Sequence, residues 1–555
     1  MRRSAVLGLN RTQDASACRL VDGHPWCLQK ERITRRKHHW GRLGDLSLYA
    51  DRLGGFEGVD LLVECWSSDS QVRQLAQYHE EVRRQLGRCE IARVSHHLAH
   101  VYSAFFPSGF PEAAVMVIDC QGSPVADFTE AWDRPAEVGD DWLEVASYYA
   151  CRGREVACVG KQVWDGDRRL PVGLGFFYLL LTSAIFPGEE GQEGKVMGLA
   201  PYGDPRALDL PDLIVEAPEV HIPAEWFEVL LDRERFRYRG MGDPERFRAA
   251  ADLAAAGQRA FEEALLALAV WLREQTGLSR VCFAGGTALN CVANGRLLRE
   301  GPFAEVFIPP APHDGGTALG CALYGAIHLC GEEPGFLWTS DFLGPEPAGL
   351  DPAALFGDAE LVVEEPSDLA GRAAAILADG LALATFHGRS ESGPRALGHR
   401  SILADPRPAG MWRWINDRVK GRESFRPLAP LVLLDRAAEV FDADRPLPFM
   451  QFAADVRPLW RDRLPAVTHV DGSARLQTVA PGDDALVRAI LSGFAARTGV
   501  PVLVNTSLNG PGEPLVETAG EALDLFRRTP LHALVAPPYL VRKRSAPESP
   551  AAWSP

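Results

Sequence analysis

A chain of 555 residues, 46% hydrophobic and 24% charged, exceeds what one ordinary core holds and calls for about two to four domains. Its formal charge of −16 disfavours extended contact with nucleic-acid phosphates, although a local basic pocket remains compatible with it. No uninterrupted apolar run is long enough to span a bilayer, which removes the helical membrane classes.

The start, Met1-Arg2-Arg3-Ser4-Ala5-Val6-Leu7, is basic and then apolar, but Asn10, Arg11, Gln13 and Asp14 break the run, so a first strand is expected rather than a secretory signal. Eleven cysteines without a Cys-x-x-Cys pair read as reduced core residues in a cytoplasm. The strand pattern over 4–10 ends in Gly8-Leu9-Asn10, a polar turn follows, and a second strand pattern covers 15–21. Asn10, Thr12, Asp14 and Ser16 either meet a ligand or satisfy the turn backbone, and the turn is the expectation from these residues alone. The basic cluster Glu31-Arg32-Ile33-Thr34-Arg35-Arg36-Lys37-His38-His39 is a solvated face or an anion site. Strand patterns at 61–63, 91–94 and 114–118 then alternate with helical stretches at 71–85 and 97–106, an α/β layout.

Within it, Ser95-His96-His97-Leu98-Ala99-His100 sets His96 and His100 four residues apart on one helical face, as two metal ligands stand. A zinc protease helix needs Glu directly after its first His to activate water, and His97 occupies that position, so a hydrolytic metal helix is excluded. A lone pair of this spacing is weak, and a second, distant feature must decide it. Asp119, with Gly122 close behind, ends a strand where it meets a phosphate through a metal or forms a plain turn.

Further on, Lys195 lies among glycines without the Walker spacing, and 245–276 reads as one or two long scaffold helices. Val281-Cys282-Phe283-Ala284 is a buried-strand run, Gly285-Gly286 lets backbone approach a ligand, and 287–299 reads as a helix with Asn290 and Asn294 on one face. Asp314-Gly315-Gly316 opens another helical run over 317–327, where the aspartate is an N-cap or a metal ligand. Three prolines and two glycines in 343–355 mark a linker. After it come a helix over 368–378, a strand over 381–386, and a glycine-interrupted loop carrying Arg389, Arg395 and Arg400. Guanidinium forks match oxyanion geometry, so this loop suits a polyphosphate or an acyl phosphate. Lys420, Arg422, Arg426 and Arg475 add cations, and Asn505-Thr506-Ser507-Leu508-Asn509 offers amides and hydroxyls for a sugar, a base or a carbamoyl group. The end, 542–555, is expected to be a disordered tail.

Ordered motifs run through the chain: Gly8-Leu9-Asn10 with Asp14-Ala15-Ser16-Ala17, Glu31-Arg32 with Arg36-Lys37-His38, His96-His97-Leu98-Ala99-His100, and Gly194-Lys195-Val196-Met197-Gly198-Leu199. Gly285-Gly286 with Ala288-Leu289-Asn290, Asp314-Gly315-Gly316, Gly393-Pro394-Arg395-Ala396-Leu397-Gly398 with Arg400-Ser401, and Asn505-Thr506-Ser507-Leu508-Asn509 complete the set. Over nearly its whole length the chain thereby resembles the nodulation-type and antibiotic O-carbamoyltransferases, the family of the tobramycin and cephalosporin carbamoyltransferases. The resemblance implies an α/β and α+β fold class. An actin/hexokinase-like (ASKHA) N-terminal domain over 1–345, similar to the metal-binding subunit of tRNA threonylcarbamoyladenosine synthesis, precedes a linker at 346–356, a YrdC-like C-terminal domain over 357–541 and a tail at 542–555.

It also implies an activity. Carbamoyl phosphate and ATP give carbamoyl adenylate and pyrophosphate in the second domain, and the carbamoyl group passes in the first to a hydroxyl of a small natural product such as a sugar, aminoglycoside or macrolide, releasing AMP. His96, His100 and Asp314 match the metal ligands, commonly for iron(II), and Mg2+ accompanies ATP. Gly285, Gly286 and Asn290 match the nucleotide contacts, while Arg389, Arg395, Arg400, Ser401, Arg475, Asn505 and Ser507 form the expected adenylate pocket. Lys420 and Arg426 act on the phosphates, and Asp14, Lys37 and His38 flank the acceptor. Where the family has His-Asp-Ala-Ser, this chain has Gln13-Asp14-Ala15-Ser16, and glutamine is no general base near neutral pH. Asp14, His38 or the metal-bound leaving group then takes the proton, or the acceptor differs. Cys120-Gln121-Gly122-Ser123 after Asp119 also departs from the family pattern, which weakens a role for that turn. Two other readings stand beside this one: a fused tRNA threonylcarbamoyladenosine enzyme, separated by its use of threonine and bicarbonate, and a non-catalytic nucleotide-binding regulator, excluded by turnover.

Overall fold

The computed structural model describes residues 4–66, 75–167, 169–188, 191–545, 547–550 and 553. Its contacts divide the chain into one unit of Met1–Thr34 with His38–Thr339 and another of Arg35–Lys37 with Ser340–Pro555. Among the described residues no helix is long and apolar enough to cross a membrane, and none of the eleven cysteines is in a disulfide.

The first unit repeats one sheet plan. Strands β1 (Val6–Asn10), β2 (Ser16–Val21) and β3 (His24–Gln29) form an antiparallel ribbon. On the other side of β1, β4 (Leu61–Cys65) and then β5 (Glu90–Arg93) add in parallel, giving the order β3-β2-β1-β4-β5. The second sheet does the same around β6 (Glu112–Ile118): β7 (Leu143–Arg152) and β8 (Glu155–Trp164) run antiparallel on one side. After a small ribbon of β9 (Ile214–Glu216) and β10 (Glu219–His221), β11 (Arg280–Ala284) and β12 (Glu305–Phe307) add in parallel on the other, for the order β12-β11-β6-β7-β8. This duplicated plan is the actin/hexokinase arrangement expected from the sequence. The central strands β1, β4 and β6 are apolar runs because both of their faces are covered.

Two buried helices carry the site. His96–Ala104 leaves β5 with every residue buried, and Thr317–Tyr324 is likewise buried throughout. Their backbones approach so closely that a Cβ on Gly320 would lie 1.8 Å from the Ala99 carbonyl oxygen, and one on Gly8 would lie 2.0 Å from that of Ala318. Only glycine permits this double contact, which brings β1, the histidine helix and the Asp314 turn together.

Several elements differ from expectation. The 245–276 region is a single helix, Pro244–Thr276, capped by the Asp243 side chain and stopped at Gly277 with φ +68°. The helix expected at 287–299 begins later, at Cys291–Glu300, because Gly286–Leu289 is a 3-10 turn and Asn290 is the N-cap. The 97–106 and 317–327 helices end as a 3-10 turn (Phe106–Ser108) and a π turn (Gly325–Leu329). The helix expected at 71–85 is described from Leu75 to Leu86, and its start, like Met1 to Arg3, lies outside the described residues. The long β7-β8 ribbon went unassigned in the sequence, although Gly153 at φ +57° between Arg152 and Arg154 is a hairpin signal. The cluster at 31–39 is not a solvated face over its whole length, since Lys30, Glu31 and Arg32 are buried in the helix Lys30–Thr34.

The second unit is built around a mixed sheet. Its mixed eight-stranded sheet runs β13 (Leu361–Glu364), β22 (Tyr539–Lys543), β21 (Ala533–Ala536), β14 (Ala382–Phe386), β15 (Arg400–Ala404), β20 (Val502–Ser507), β16 (Ala429–Leu433) and β19 (Gln477–Val479). Strands β17 (Ala453–Asp455) and β18 (Ser473–Arg475) form a separate ribbon. The division between units falls after Thr339 rather than at 345, because Asp341 accepts from Ser392 Oγ at 2.5 Å and from Gly393 N at 3.0 Å. The expected linker ends inside a helix, Pro352–Phe356, and the expected tail begins too early, since Arg542 and Lys543 pair with Val362 and Leu361 at the sheet edge.

Candidate active sites

In the first unit His96, His100 and Asp314 converge as the sequence implies, and Asp119 joins them. His96 Nε2 lies 3.2 Å from His100 Nε2 and 3.3 Å from Asp314 Oδ1. His100 Nε2 lies 3.7 Å from both Asp314 Oδ1 and Asp119 Oδ2. A four-coordinate cation with bonds of about 2.0–2.1 Å sets its ligand atoms about 3.3 Å apart, so the donor set fits a divalent metal. The electrostatics agree. Burial and the charge of Asp314 push the Asp119 carboxyl up to about 7, and burial drives His100 down to about 4. Burial works against charge on His96 and Asp314 too, yet their mutual attraction raises the imidazole and lowers the carboxyl. A cation bound to all four would settle two acids and two bases that otherwise compete.

Each ligand has its own support. The end of β1 holds the Asp314 turn, with Asn10 Nδ2 donating to Asp314 O at 2.8 Å and Thr12 Oγ1 donating to Asp314 Oδ2 at 2.5 Å. Asn10 and Thr12, expected as turn residues, therefore also position Asp314. Gly286 N donates to Asp119 Oδ2 at 3.0 Å. The preceding Gly285 has φ +90°, and a Cβ there would lie 2.2 Å from Ile118 O, so this turn needs glycine for close approach. Asn290 does not project from the helix face. It caps the helix through Ala293 N and exchanges amide bonds with Gln258 at 3.0 and 3.1 Å. His97 turns away from the cluster, with Nδ1 2.8 Å from Ser147 Oγ and its backbone N–H bonded to Glu144.

Asp14 and His38 form a second feature of this unit, with Asp14 Oδ1 2.9 Å from His38 Nδ1. Both residues have left-handed backbones, φ +54° and +52°, an arrangement that costs about 1–3 kcal/mol each and is held where surroundings demand it. Gly191 lies over the ring, since a Cβ there would come within 2.1 Å of His38 Nε2. Lys37 is not part of this pair. It groups with the second unit, where its charge acts on Lys420.

The second unit gathers cations. Lys420 is buried and donates to Ser507 O at 2.6 Å, Ser507 Oγ at 3.0 Å and Asn509 Oδ1 at 2.6 Å. Burial, then repulsion from Arg422, Lys37 and Arg426, holds its ammonium well below the usual lysine range. Arg422 is depressed likewise by burial and by Arg426 and Arg475. A bound anion would offset this repulsion among like charges. The backbone of Arg426 is fixed by Trp412 Nε1 and Asn416 Nδ2, which donate to its carbonyl at 2.8 and 2.9 Å.

The arginines of the glycine-interrupted loop behave differently. Arg400 is fully buried and donates to His387 O at 2.7 Å and Gly388 O at 3.0 Å, and Arg389 donates to Gly344 O and Leu343 O at 2.8 and 2.7 Å. These forks bind the chain's own carbonyls and so brace the loop; Arg395 stays half-buried in it. Glu391, unassigned in the sequence, gathers that loop by accepting from the backbone N–H of Leu397, His399 and Arg400 at 2.8, 3.0 and 3.2 Å. Asn505 does similar work through Ala396 O and Gln477 Oε1, and Ser401 sits opposite Ser507 in the β15-β20 register.

Comparison with known proteins matches these two units to two family models. The carbamoyltransferase N-terminus matches residues 64–323 and the carbamoyltransferase C-terminus residues 374–543. Nodulation protein NolNO of Sinorhizobium fredii is 38% identical over 490 residues, 86% of this chain and 67% of its own. Nodulation protein NolO of Bradyrhizobium diazoefficiens is 37% identical over 469 residues, 82% of this chain and 79% of its own. Among solved structures, HypF of T. kodakarensis covers 60% of this chain and 48% of its own at 14% identity, with a TM-score of 0.39, too loose a likeness to carry an argument about either site. Two matched domains in order and relatives alike over most of both lengths lead to one conclusion: this chain belongs to the carbamoyltransferase family.

Proposed function

We propose that the chain is an ATP-dependent O-carbamoyltransferase that works in two half-reactions, using carbamoyl phosphate as donor and a hydroxyl of a small natural product as acceptor. The observation that carries this reading is the set of mutually repelling cations Lys420, Arg422, Arg426 and Arg475 in the second unit. Two phosphorylated substrates repel one another, and such a set offsets that repulsion at the reacting phosphorus. Phosphorus balance adds one product to the scheme: carbamoyl phosphate and ATP carry four phosphoryl groups, whereas carbamoyl adenylate and pyrophosphate carry three. One orthophosphate is therefore released and one water consumed on the way to the adenylate.

In the second half-reaction the acceptor oxygen attacks the carbamoyl carbon, the bond to the adenylate oxygen breaks, and AMP leaves. The hydroxyl proton needs a base, and glutamine at position 13 cannot supply one. We assign that role to the His38–Asp14 pair, in which Asp14 Oδ1 lies 2.9 Å from His38 Nδ1. His96, His100, Asp119 and Asp314 would hold a divalent metal, which we assign as iron(II), and its charge would favour an anionic leaving group. Mg2+ enters with ATP. The reading places the enzyme in the cytoplasm, where carbamoyl phosphate and ATP are made.

Purified Lys420→Ala and Arg426→Ala variants should lose carbamoyl-phosphate-dependent release of pyrophosphate. Full retention would remove those residues from the site, and use of threonine and bicarbonate in place of carbamoyl phosphate would favour the tRNA-modification reading instead.

A further inference from the structure

We propose that the second unit carries a metal site of its own, formed by His387, His399 and Asp484, which takes a zinc-class divalent cation and leaves one coordination position open. The three residues come from separate elements. His387 follows β14, His399 precedes β15, and the two face each other at the end of that antiparallel ladder, where His387 N donates to His399 O at 3.3 Å. Asp484 is the N-cap of the helix Ala485–Thr498.

The distances leave room for a metal clamp. His387 Nε2 lies 3.2 Å from Asp484 Oδ1 and His399 Nε2 lies 3.1 Å from Asp484 Oδ2. A charge-assisted hydrogen bond draws its partners to about 2.7–2.9 Å, whereas ligands on a tetrahedral zinc stand about 3.3 Å apart. The proton positions agree with the metal. His399 Nδ1 is 2.7 Å from the Arg389 carbonyl, which only accepts, so Nδ1 carries the proton. In the neutral ring, Nε2 is then a bare lone pair aimed at a carboxylate, an arrangement a cation between them resolves. An imidazole that donates its other N–H to a backbone carbonyl is also how metal-bound histidines are oriented.

The aromatic neighbour is a separate observation. Phe342 lies face to face on His399 at 3.4 Å with the planes 1° apart. Neutral rings avoid that sandwich, and a ring carrying positive charge or bound to a cation favours it. The site would fasten both ends of the 387–399 loop to the start of a helix, closing the loop that carries Arg395. It stands independently of the proposed reaction.

The test uses the full chain with the first cluster disabled, His96→Ala/His100→Ala, stripped of metal and titrated with zinc against a chromophoric chelator. One zinc per chain is expected, with a rise in melting temperature. Asp484→Asn, which keeps the helix cap, and His387→Gln should each weaken zinc binding at least tenfold and remove the rise. A folded protein that binds no stoichiometric zinc overturns the proposal, as does binding unchanged in both variants. Should the double variant fail to fold, anomalous scattering at the zinc edge from wild-type crystals decides: a peak within ligand distance of His399 Nε2 supports the site, and a peak confined to the first cluster overturns it.

Discussion

The His/Asp cluster of the first unit and the cation pocket of the second are built by opposite means. In the first, ligands project from buried elements, a helix face and two strand-end turns, so side-chain identity and spacing nearly determine the geometry. In the second, loops and strand ends supply the charges, and several of those charges brace the chain itself, as Arg400 and Arg389 do. A cation in a rigid frame is available to a ligand, and a cation that shapes its own loop is part of the frame. The distinction makes different losses at the two sites, and variants can break or sharpen it.

The largest effect should come from the rigid cluster. Asp314→Ala should slow carbamoyl transfer on the order of 1,000-fold, the upper range for losing one preorganised charge, while pyrophosphate release persists. Comparable loss of both steps would place the metal in adenylate formation. Next, Lys420→Ala should reduce pyrophosphate release about 100-fold and leave transfer from supplied carbamoyl adenylate intact, measured by quantifying AMP and carbamoylated product.

The two classes of arginine give a sharper contrast. Arg400→Met leaves the carbonyls of His387 and Gly388 without their charged donor, so it should cost about 2–4 kcal/mol of stability in denaturant titration with turnover of the folded fraction within a fewfold. Arg426→Met, which removes a half-exposed guanidinium 3.8 Å from Glu423, should lose adenylation at a smaller cost in stability than Arg400→Met. An outcome with the two reversed would undo the division between framing and ligand-binding arginines. The smallest change is Glu391→Gln, which weakens three backbone hydrogen bonds and should cost about 1–2 kcal/mol, checked by the same titration.

These differences also explain what could be read in advance. The four-residue spacing of His96 and His100 survives into three dimensions because a helix preserves it, and Asp314 could be attached by family resemblance. The flanking residues of Asp119 depart from the family pattern, yet its position depends on Gly286 N and on strand register, neither of which its neighbours encode. Arg389, Arg395 and Arg400 look alike as sequence. Only the path of the loop shows that two of them point back to carbonyls, and that Glu391 gathers the loop at all. The family resemblance pairs Lys37 with His38, whereas in the structure Lys37 groups with the second unit. Where a regular element fixes direction, sequence suffices; in loops, hydrogen bonds to distant backbone decide.

The central claim is the division of labour, and single-turnover assays of His96→Ala test it most directly. With carbamoyl phosphate, ATP and a competent hydroxyl acceptor, the variant should release pyrophosphate at close to the wild-type rate and form no carbamoylated product. Equal loss of both steps would contradict the account.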